Sequence, residues 1–350
     1  ELYQDIEFEY VILDEAQYIK NQKTKNAQSV KTLKTRHKLA LTGTPIENSL
    51  AELWSIFDFL MPQYLFNYHY FQKQYESSIV KNNDEEKTKQ LKKLVTPFIL
   101  RRNKKEVLKE LPDKIEQNMI LPFSDEEEKI YVANLAKVNE ELQQLYDIEG
   151  SDKMQILKML TRLRQLCLEP RLVYDNIDQP SSKLKACMEL IQTMQENKQK
   201  VLLFSSFTSA LDLIAEECQK AGITYYMLTG STNKEERREL VSRFQKDDTT
   251  LFLISLKAGG TGLNLTSAEN VIHYDPWWNV SAQNQATDRA YRIGQKSNVQ
   301  VFNLVMKDSV EEKIIEMQKR KKELADMFVE NNSGGLSQMS KEDILSLFTM

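Results

Sequence analysis

Cysteine and histidine are rare in this sequence, and those present do not cluster. Cys167, Cys187 and Cys218 are isolated, no CxxC pair occurs, and the three histidines lie far apart. The sequence therefore supports no zinc site, and its cysteines are typical of reduced, buried thiols in a cytosolic protein. No apolar stretch is long enough to span a bilayer, and no signal-peptide pattern is present.

Glycine is also scarce, with 10 residues in 350, and Gly43 is the only one before Gly150. A P-loop needs the spacing G-x-x-x-x-G-K-[ST], and the chain has no Gly-Lys pair. An excess of positive charge is missing too, since 47 Lys and Arg against 51 Asp and Glu give a formal net charge of −4. This excludes a protein that coats nucleic acid through bulk charge, so any such contact must come from a few locally placed groups.

The chain does have the composition of an ordinary globular protein, 41% hydrophobic and 28% charged, and is long enough for about two domains. Short apolar strands alternate with helical segments, such as 208–220 and 233–245, through its second half. The strands are predicted at 114–121, 200–204, 224–228, 251–255, 271–274 and 299–305. This alternation predicts an α/β fold with a doubly wound parallel sheet, whose ligands bind at the carboxyl ends of the strands.

Two sequences of the type S/T-x-x-E predict where helices begin. Ser124 with Glu127, and Thr232 with Glu235, each match the capping box, in which the two side chains bond to each other's backbone amides. Both pairs precede segments with helical patterning. We therefore expect a helix to open directly after each of them.

An apolar strand at 8–15, FEYVILDE, ends in two carboxylates, and Gln17 completes the sequence DEAQ. A carboxylate at the end of a strand can hold Mg²⁺, usually through water, and its neighbour can orient an attacking water. We therefore interpret Asp14 as the metal ligand and Glu15 as the group that orients water. Gln17 would sense the γ-phosphate of a bound nucleotide or a second domain of the chain. The alternative for Asp14 is a helix N-cap.

A second strand, at 38–45, runs into a Thr-Gly-Thr-Pro turn. Thr42 and Thr44 offer hydroxyls near the end of this strand, on either side of Gly43. The alternative is simple turn chemistry, in which glycine and proline break the strand. The helical pattern from Glu52 to Leu60 is apolar on one face and is interpreted as core packing.

A glycine loop follows the apolar strand 251–255. Gly259, Gly260 and Gly262 let the backbone approach a ligand closely, so that its amides can cradle a phosphate. A plain strand-to-helix turn is the alternative interpretation. Either way, the loop lies at the carboxyl end of a predicted parallel strand.

The next strand ends at Asp-Pro-Trp-Trp and is followed by a polar segment that we predict to be a helix. On a helix, Gln285, Arg289 and Arg292 lie at i, i+4 and i+7 and share one face. Two guanidinium groups on one face can clamp a triphosphate from the side opposite its primary binding loop. The alternative is an exposed helix in which Asp288 pairs with Arg292.

Together these blocks resemble the Swi/Snf-type ATPases, the double-stranded-DNA translocase branch of the superfamily 2 helicases. QATDRAYRIGQ is similar to the family's sixth motif, LTGTPIENSLAELWSIFDFLMP to its third, and FILRRNKKEVLKELPDK to the segment that joins its two lobes. The resemblance covers nearly all of residues 5–330. Asn103 stands where the family usually has Thr, and Val280 where it usually has Pro, which would loosen the turn before the arginine helix.

The resemblance implies RecA-like doubly wound parallel sheets, with a partial first lobe and a complete second lobe. Residues 1–111 correspond to the end of lobe 1 with the interlobe region, and 112–310 to lobe 2. Its helical insertion, about 124–170, carries no chemistry of its own, and 311–350 form a brace helix and tail. The densest basic cluster, near the lobe junction, is either functional or a solvated helix face: Arg101, Arg102, Lys104, Lys105 and Lys109.

The resemblance also assigns roles, with ATP and Mg²⁺ as cofactors and double-stranded DNA as partner. Glu15, Arg289 and Arg292 are the implied catalytic residues. The implied cofactor-binding residues are Asp14, which also holds the metal, Gln17, Gly262 and Gln285. Thr42, Gly43 and Thr44 would couple nucleotide state to DNA binding. The implied DNA contacts are Ser206, Thr229, Gly230, Lys257, Thr261, Asn264 and Trp278.

The implied function is a DNA-dependent ATPase that translocates along duplex DNA. Because the family's P-loop lies upstream of DEAQ and the first residue is not Met, we expect the chain to be an inactive fragment of a longer protein. That protein is expected to be a monomer acting on a DNA-bound protein or RNA polymerase, in the cytoplasm of a bacterium, on its nucleoid, or in a eukaryotic nucleus. The alternatives are a strand-separating superfamily 2 helicase and a non-catalytic DNA-binding or adaptor module.

Overall fold

The structure is a computed structural model that describes residues 3, 5–43, 49–82, 84–100, 102, 104–108, 110–146, 153–259 and 263–329. The chain divides into two compact units. The first takes in the described residues of Glu1–Arg102 and of Gln318–Asp343, and the second those of Asn103–Met317. Within the described ranges, no helix combines the length and the apolar character needed to cross a membrane.

The first unit contains two parallel strands, β1 (Glu7–Leu13) and β2 (Lys34–Ala40), with Leu13 paired to Ala40. Ile56 and Phe59 pack against Val11 and Leu13 of β1, which fixes the strand end that precedes the two carboxylates. The predicted amphipathic helix is α2, and its apolar face is buried as expected. The helices are α1 (Lys25–Lys31), α2 (Leu50–Leu60), α3 (Tyr68–Phe71), α4 (Ser77–Asn82) and α5 (Glu85–Val95).

In the described part of the second unit, six strands form one parallel sheet in the order β3-β8-β7-β4-β6-β5. The predicted α/β fold with a parallel sheet is confirmed, and each predicted strand lies within one residue of the observed one. The strands are β3 (Lys114–Leu121), β4 (Val201–Ser205), β5 (Tyr225–Leu228), β6 (Leu251–Ser255), β7 (Asn270–His273) and β8 (Val299–Met306).

Two hydrophobic cores lie on opposite faces of this sheet. Successive residues of β4 alternate between them, with Val201 and Leu203 in one and Leu202 and Phe204 in the other. Strands buried on both faces read as continuous apolar runs, which is why they stand out in the sequence. The helices are α6 (Lys104–Val107), α7 (Asp125–Tyr146), α8 (Lys153–Leu168), α9 (Ser182–Glu196), α10 (Thr208–Lys220), α11 (Lys234–Lys246), α12 (Leu256–Gly259) and α13 (Val280–Thr287). A further helix, α14 (Val310–Val329), begins in this unit, and its residues from Gln318 onward are assigned to the first unit.

The predicted helical insertion corresponds to α7 and α8, and its capping box is present. Ser124 N donates to Glu127 Oε2 at 2.8 Å, and Glu127 N donates to Ser124 Oγ at 3.4 Å. The second predicted capping box is wrong. Asn233 caps α11 instead, because its Oδ1 accepts from two amides of the first turn, while Thr232 Oγ1 accepts from Thr229 N at 3.1 Å.

Candidate functional site

The first group of candidate residues lies where β1 and β2 end. Leu41 N donates to Leu13 O at 2.8 Å, and Ala16 N donates to Leu41 O at 2.9 Å, so the chain stays closely paired beyond both strands. Asp14 is exposed and accepts a bond from Glu15 N at 2.9 Å. It does not occupy the N-cap position, which belongs to Glu15 ahead of a 3₁₀ turn at Ala16–Ile19.

Glu15 has a left-handed backbone, with φ at 51°. This conformation disfavours a side chain and persists only where the surroundings impose it, as is common at functional sites. The Glu15 carboxylate accepts a bond from Gln17 Nε2 at 2.6 Å. Thr42 Oγ1 donates to Gln17 Oε1 at 2.9 Å. One hydrogen-bonded series therefore joins the DEAQ and Thr-Gly-Thr sequences.

Of the other two residues of the Thr-Gly-Thr sequence, the structure describes Gly43 but not Thr44. Gly43 is exposed, and the space where a Cβ would lie is open. Thr44 lies outside the described residues. Gln17 and Thr42 thus bring the DEAQ sequence next to the described part of the Thr-Gly-Thr sequence.

The chemistry of Asp14 and Glu15 fits Mg²⁺. This ion is held by hard oxygen donors, often one or two carboxylates together with water and substrate phosphates. Asp14 is an exposed carboxylate at a strand end, as such a ligand has to be. Among the described residues, no group of three or more His, Cys, Asp or Glu side chains is arranged to hold a metal by protein ligands alone.

The second group of candidate residues surrounds α13. Asn279 caps this helix, since its Oδ1 accepts from Ser281 N at 2.9 Å and from Ala282 N at 3.2 Å. The helix therefore begins at Val280 although proline, the usual residue there in the family, is missing. Gln285 is half-buried on the helix.

The prediction that Gln285, Arg289 and Arg292 share one helical face is wrong, because α13 ends at Thr287. Residues beyond it bond to another segment: Leu265 N donates to the backbone carbonyl of Arg289 at 3.0 Å, and the side-chain Nε2 of Gln295 donates to Ala268 O at 2.8 Å. Residues 288–295 therefore form turns that are tied to the segment preceding β7. We call this segment, 288–295, the arginine turn.

The two arginines of this turn have different surroundings. Arg289 is 9% exposed, whereas Arg292 is exposed and its Nη1 donates to Leu263 O at 3.4 Å. Asp288 does not follow the predicted pairing with Arg292. Its Oδ1 lies 2.6 Å from Nζ of Lys104, which also donates to Tyr291 O at 3.3 Å. Lys104 thus fastens α6 to the arginine turn.

The third group, the candidate DNA contacts, gathers mostly at one edge of the sheet. The carboxyl ends of parallel strands meet there, and Ser206 follows β4, Thr229 and Gly230 follow β5, and Trp278 follows β7. Lys257 is exposed in α12, directly after β6. The structure therefore brings these five residues to the same edge.

Asn264, another predicted DNA contact, lies away from that group. Asn264 is exposed beside the end of α11, where its carbonyl accepts from Gln245 Nε2 at 2.6 Å. Thr261 and Gly262 lie outside the described residues. The predicted phosphate-cradling loop is therefore described only at its first glycine, Gly259, which ends α12.

One buried pair at the same edge, Arg164 and Asp275, was missed by the sequence analysis. Arg164 of the helical insertion is 5% exposed, and its Nη2 lies 2.7 Å from Oδ2 of Asp275, which is 4% exposed. Ser206 joins them, because its hydroxyl donates to Asp275 and accepts from Arg164. Arg164 and Asp275 lie 111 residues apart in the chain, so no local sequence pattern could predict that they pair.

Comparison with known proteins identifies the family to which the chain is similar. Residues 1–172 match the model of the SNF2-related domain, and residues 182–294 that of the helicase conserved C-terminal domain. The chain is 39% identical over 349 residues to the putative ATP-dependent helicase/translocase YwqA of Bacillus subtilis, an alignment that covers 97% of this chain and 37% of that protein. It spans about a third of the length of the curated relatives it matches.

Two solved structures are similar over nearly the whole chain. The Sulfolobus solfataricus SWI2/SNF2 ATPase core domain has a TM-score of 0.56 and 35% identity, covering 99% of this chain and 72% of that one. The same core in complex with dsDNA has a TM-score of 0.53 and 35% identity, covering 94% of this chain and 71% of the other. The chain therefore belongs to the SWI2/SNF2 family of ATP-dependent helicase-like proteins.

Proposed function

We propose that the full-length protein is a DNA-dependent ATPase that moves along duplex DNA without separating its strands. The observation that carries the proposal is the hydrogen-bonded series from Glu15 through Gln17 to Thr42 at the end of β1 and β2. It holds the carboxylate that orients the attacking water and links it to the Thr-Gly-Thr sequence. A change in the position of Thr42 would therefore alter the position of the Glu15 carboxylate, and the reverse.

In this proposal Asp14 would hold Mg²⁺, and the bound ion would neutralise charge on the phosphates. Glu15 orients the water, with Gln17 fixing the carboxylate. Arg289 and Arg292 would stabilise the charge that develops on the transferred phosphoryl group, and Gln285 of α13 is a further proposed nucleotide contact. The proposed carboxylates belong to the first unit and the proposed guanidinium groups to the second.

The proposal also needs a P-loop, which residues 1–350 do not contain. We therefore propose that this chain alone does not hydrolyse ATP and that the P-loop is supplied by another part of the full-length protein. The relatives support this, since the chain aligns with about a third of their length.

Duplex DNA is the proposed partner, at the edge of the sheet formed by the carboxyl ends of β4 to β7. Hydroxyls, backbone amides and one ammonium group there suit contacts to a phosphate backbone. The candidates at this edge are Ser206, Thr229, Gly230, Lys257 and Trp278, while Asn264, beside α11, and Thr261 are proposed from the sequence alone. The similarity to a SWI2/SNF2 core bound to dsDNA supports this choice, and the Bacillus relative supports a bacterial protein.

Two substitutions in the full-length protein test the hydrolytic site. Glu15→Gln removes the charge that orients water, and Arg292→Ala removes a guanidinium group worth roughly 10³–10⁵ in rate in enzymes of this kind. Each is expected to lower DNA-stimulated ATP turnover by at least about a hundredfold while thermal unfolding stays unchanged.

The matched controls are Glu9→Gln, an exposed carboxylate on the same strand as the DEAQ sequence, and Lys246→Ala, an exposed cation at the end of α11. Both should keep wild-type turnover. Near wild-type activity in Arg292→Ala would remove Arg292 from the mechanism. Strand displacement from a duplex by the active enzyme would instead establish a strand-separating helicase.

A further inference from the structure

We propose that Arg164, although it lies in the helical insertion, is a positioning residue for the surface that binds duplex DNA. This inference rests on the proposed function and concerns the same edge of the sheet. Arg164 would hold two loops in register, the one after β4 and the one after β7. We call the second, Asp275–Trp278, the tryptophan loop.

Arg164 contacts both loops with one side chain. Its Nη2 donates to Asp275 Oδ2 at 2.7 Å, to Pro276 O at 3.3 Å and to Ser206 Oγ at 2.9 Å. The loop after β4 and the loop after β7 are therefore tied to the same nitrogen. A shift of α8 would displace both of them.

Aromatic rings from both loops also surround the guanidinium group. Its Cζ lies 4.9 Å from the centre of the Phe207 ring, 5.3 Å from that of Trp277 and 5.8 Å from that of Trp278. A planar cation is attracted to aromatic faces at such distances, and arginine does this better than lysine. The guanidinium group therefore fixes the two tryptophan side chains as well as the backbone near them.

Asp275 is the buried partner of Arg164 and also bonds to Ser205 and Ser206, where β4 ends. Its carboxylate accepts bonds from Ser205 Oγ at 2.7 Å, from Ser206 N at 3.0 Å and from the Ser206 hydroxyl, in addition to Arg164. A buried ion pair loses much of its attraction to desolvation, and apolar residues of similar volume are often as stable. The pair is therefore better explained by the geometry it imposes than by the stability it adds.

The opposite side of the tryptophan loop is held as well. Trp277 N donates to Gln283 Oε1 at 3.3 Å, and Gln283 Nε2 donates to Asn303 Oδ1 at 3.0 Å. Both tryptophan side chains nevertheless remain half-exposed at the edge of the sheet. The loop is thus rigidly placed while its rings stay accessible, as a surface that contacts DNA requires.

Arg162 provides a matched comparison two residues earlier on α8. It is exposed, and its Nε and Nη2 donate to Asn134 Oδ1 at 3.0 Å and to the Tyr174 hydroxyl at 3.2 Å. These partners belong to α7 and to the segment after α8, and neither lies in the loops at the sheet edge. Substituting Arg162 therefore shows the effect of losing an arginine from α8 while the contacts to the two loops remain. That effect can be compared with the effect of substituting Arg164.

The test measures the affinity of the full-length protein for a fluorescently labelled duplex by anisotropy, without ATP. Arg164→Lys keeps the charge but loses the planar fork and its stacking, so we expect the dissociation constant to rise about tenfold. Arg162→Lys should change it by less than about twofold. If Arg164→Lys binds duplex as tightly as the wild type, the inference about Arg164 is wrong and the proposed function is unaffected. If the wild type does not bind duplex, the proposed function is wrong.

A background variant separates positioning from general structural damage. If Arg164 acts through the tryptophan loop, Arg164→Lys should weaken binding much less when Trp278→Ala is already present, since coupled residues are not additive. An equal weakening in both backgrounds would contradict the inference. So would a lower fraction of binding-competent protein with an unchanged dissociation constant.

A second variant covers the case in which Arg164→Lys does not fold. Arg164→Met with Asp275→Asn removes both charges together, so that no unpaired charge stays buried. The proposal requires this double variant to fold and to bind duplex about tenfold more weakly. Wild-type affinity in the folded double variant would overturn it.

Discussion

At the scale of single residues, the Glu15 carboxylate is held by its near neighbour Gln17, whose Nε2 donates to Glu15 Oε2 at 2.6 Å. Glu15 and Gln17 lie two positions apart, so their hydrogen bond follows from local spacing. The left-handed backbone of Glu15 does not, because this conformation normally favours glycine or asparagine. Arg164 and Asp275 are too distant in the chain for any pattern to pair them.

His273 illustrates a residue whose properties come from burial. It is 1% exposed at the end of β7, and its Nε2 lies 2.8 Å from Thr287 Oγ1. Burial lowers the pKa of His273 to about 4 and outweighs the opposing effect of the Glu116 and Asp275 carboxylates, while Lys114 acts with burial. The imidazole is therefore neutral in the folded protein at neutral pH.

We predict that His273 makes the second unit less stable in acid. An unfolded histidine titrates near 6.5, so the unfolded chain binds a proton that the folded chain excludes between about pH 6.5 and 4. The free energy of unfolding should fall through this window by up to about 1.4 kcal/mol per pH unit. Urea unfolding between pH 7 and pH 4.5 measures this slope, and His273→Asn should reduce it while His69→Asn, in the first unit, should not. An unchanged slope in His273→Asn would contradict the prediction.

At the scale of elements, the sequence predicts where helices and strands lie more accurately than it predicts the residues at which they begin and end. The bounds of α10 and β6 agree with the sequence pattern, because apolar periodicity changes sharply there. The end of α13 could not be predicted, since it depends on bonds to the segment that precedes β7. The start of α11 was misassigned by one residue, because both Thr232 and Asn233 have side chains able to cap a helix.

Glu127 serves two elements at once, which leads to a prediction about stability. Its carboxylate accepts from Ser124 N, at the start of α7, and from Ser182 N, at the start of α9, each at 2.8 Å, and it also bonds the Ser182 hydroxyl. Glutamine offers one acceptor oxygen in place of two. Glu127→Gln should therefore lower the free energy of unfolding by about 1–2 kcal/mol.

The neighbouring variant Glu128→Gln provides the control, because Glu128 is exposed on the same turn of α7. Urea unfolding followed by circular dichroism measures both. A loss of the same size in the two variants would show that charge near the helix N-terminus, rather than the shared carboxylate, determines the effect.

At the scale of the whole molecule, the parallel sheet was predictable, but some of its pairings were not. β3 pairs with β8 along its full length, from Lys114 opposite Val299 to Leu121 opposite Met306. Strand-helix alternation indicates that a sheet exists, yet it cannot choose a partner nearly two hundred residues away. The same holds for Lys104, which lies next to the start of the second unit and contacts Asp288 of the arginine turn.

The Lys104–Asp288 pair connects the entry into the second unit with the proposed catalytic arginines. The two side chains are 39% and 43% exposed, so the pair adds at most about 1 kcal/mol to stability. Its effect should instead appear in turnover, because it fixes the backbone that carries Arg289 and Arg292. A misplaced guanidinium group stabilises the transition state less even when the fold is intact.

We therefore predict that Lys104→Asp and Asp288→Lys, each made alone in the full-length protein, lower DNA-stimulated turnover by about fivefold to tenfold. The double variant restores the opposite charges and should recover most of the activity, while urea unfolding changes little throughout. The same exchange at the exposed pair Glu239 and Arg243 of α11 is the control and should leave turnover unchanged. If the double variant is no more active than the single ones, the ion pair does not position the arginine turn. Recovery would mean that this ion pair within the second unit positions the arginine turn for turnover.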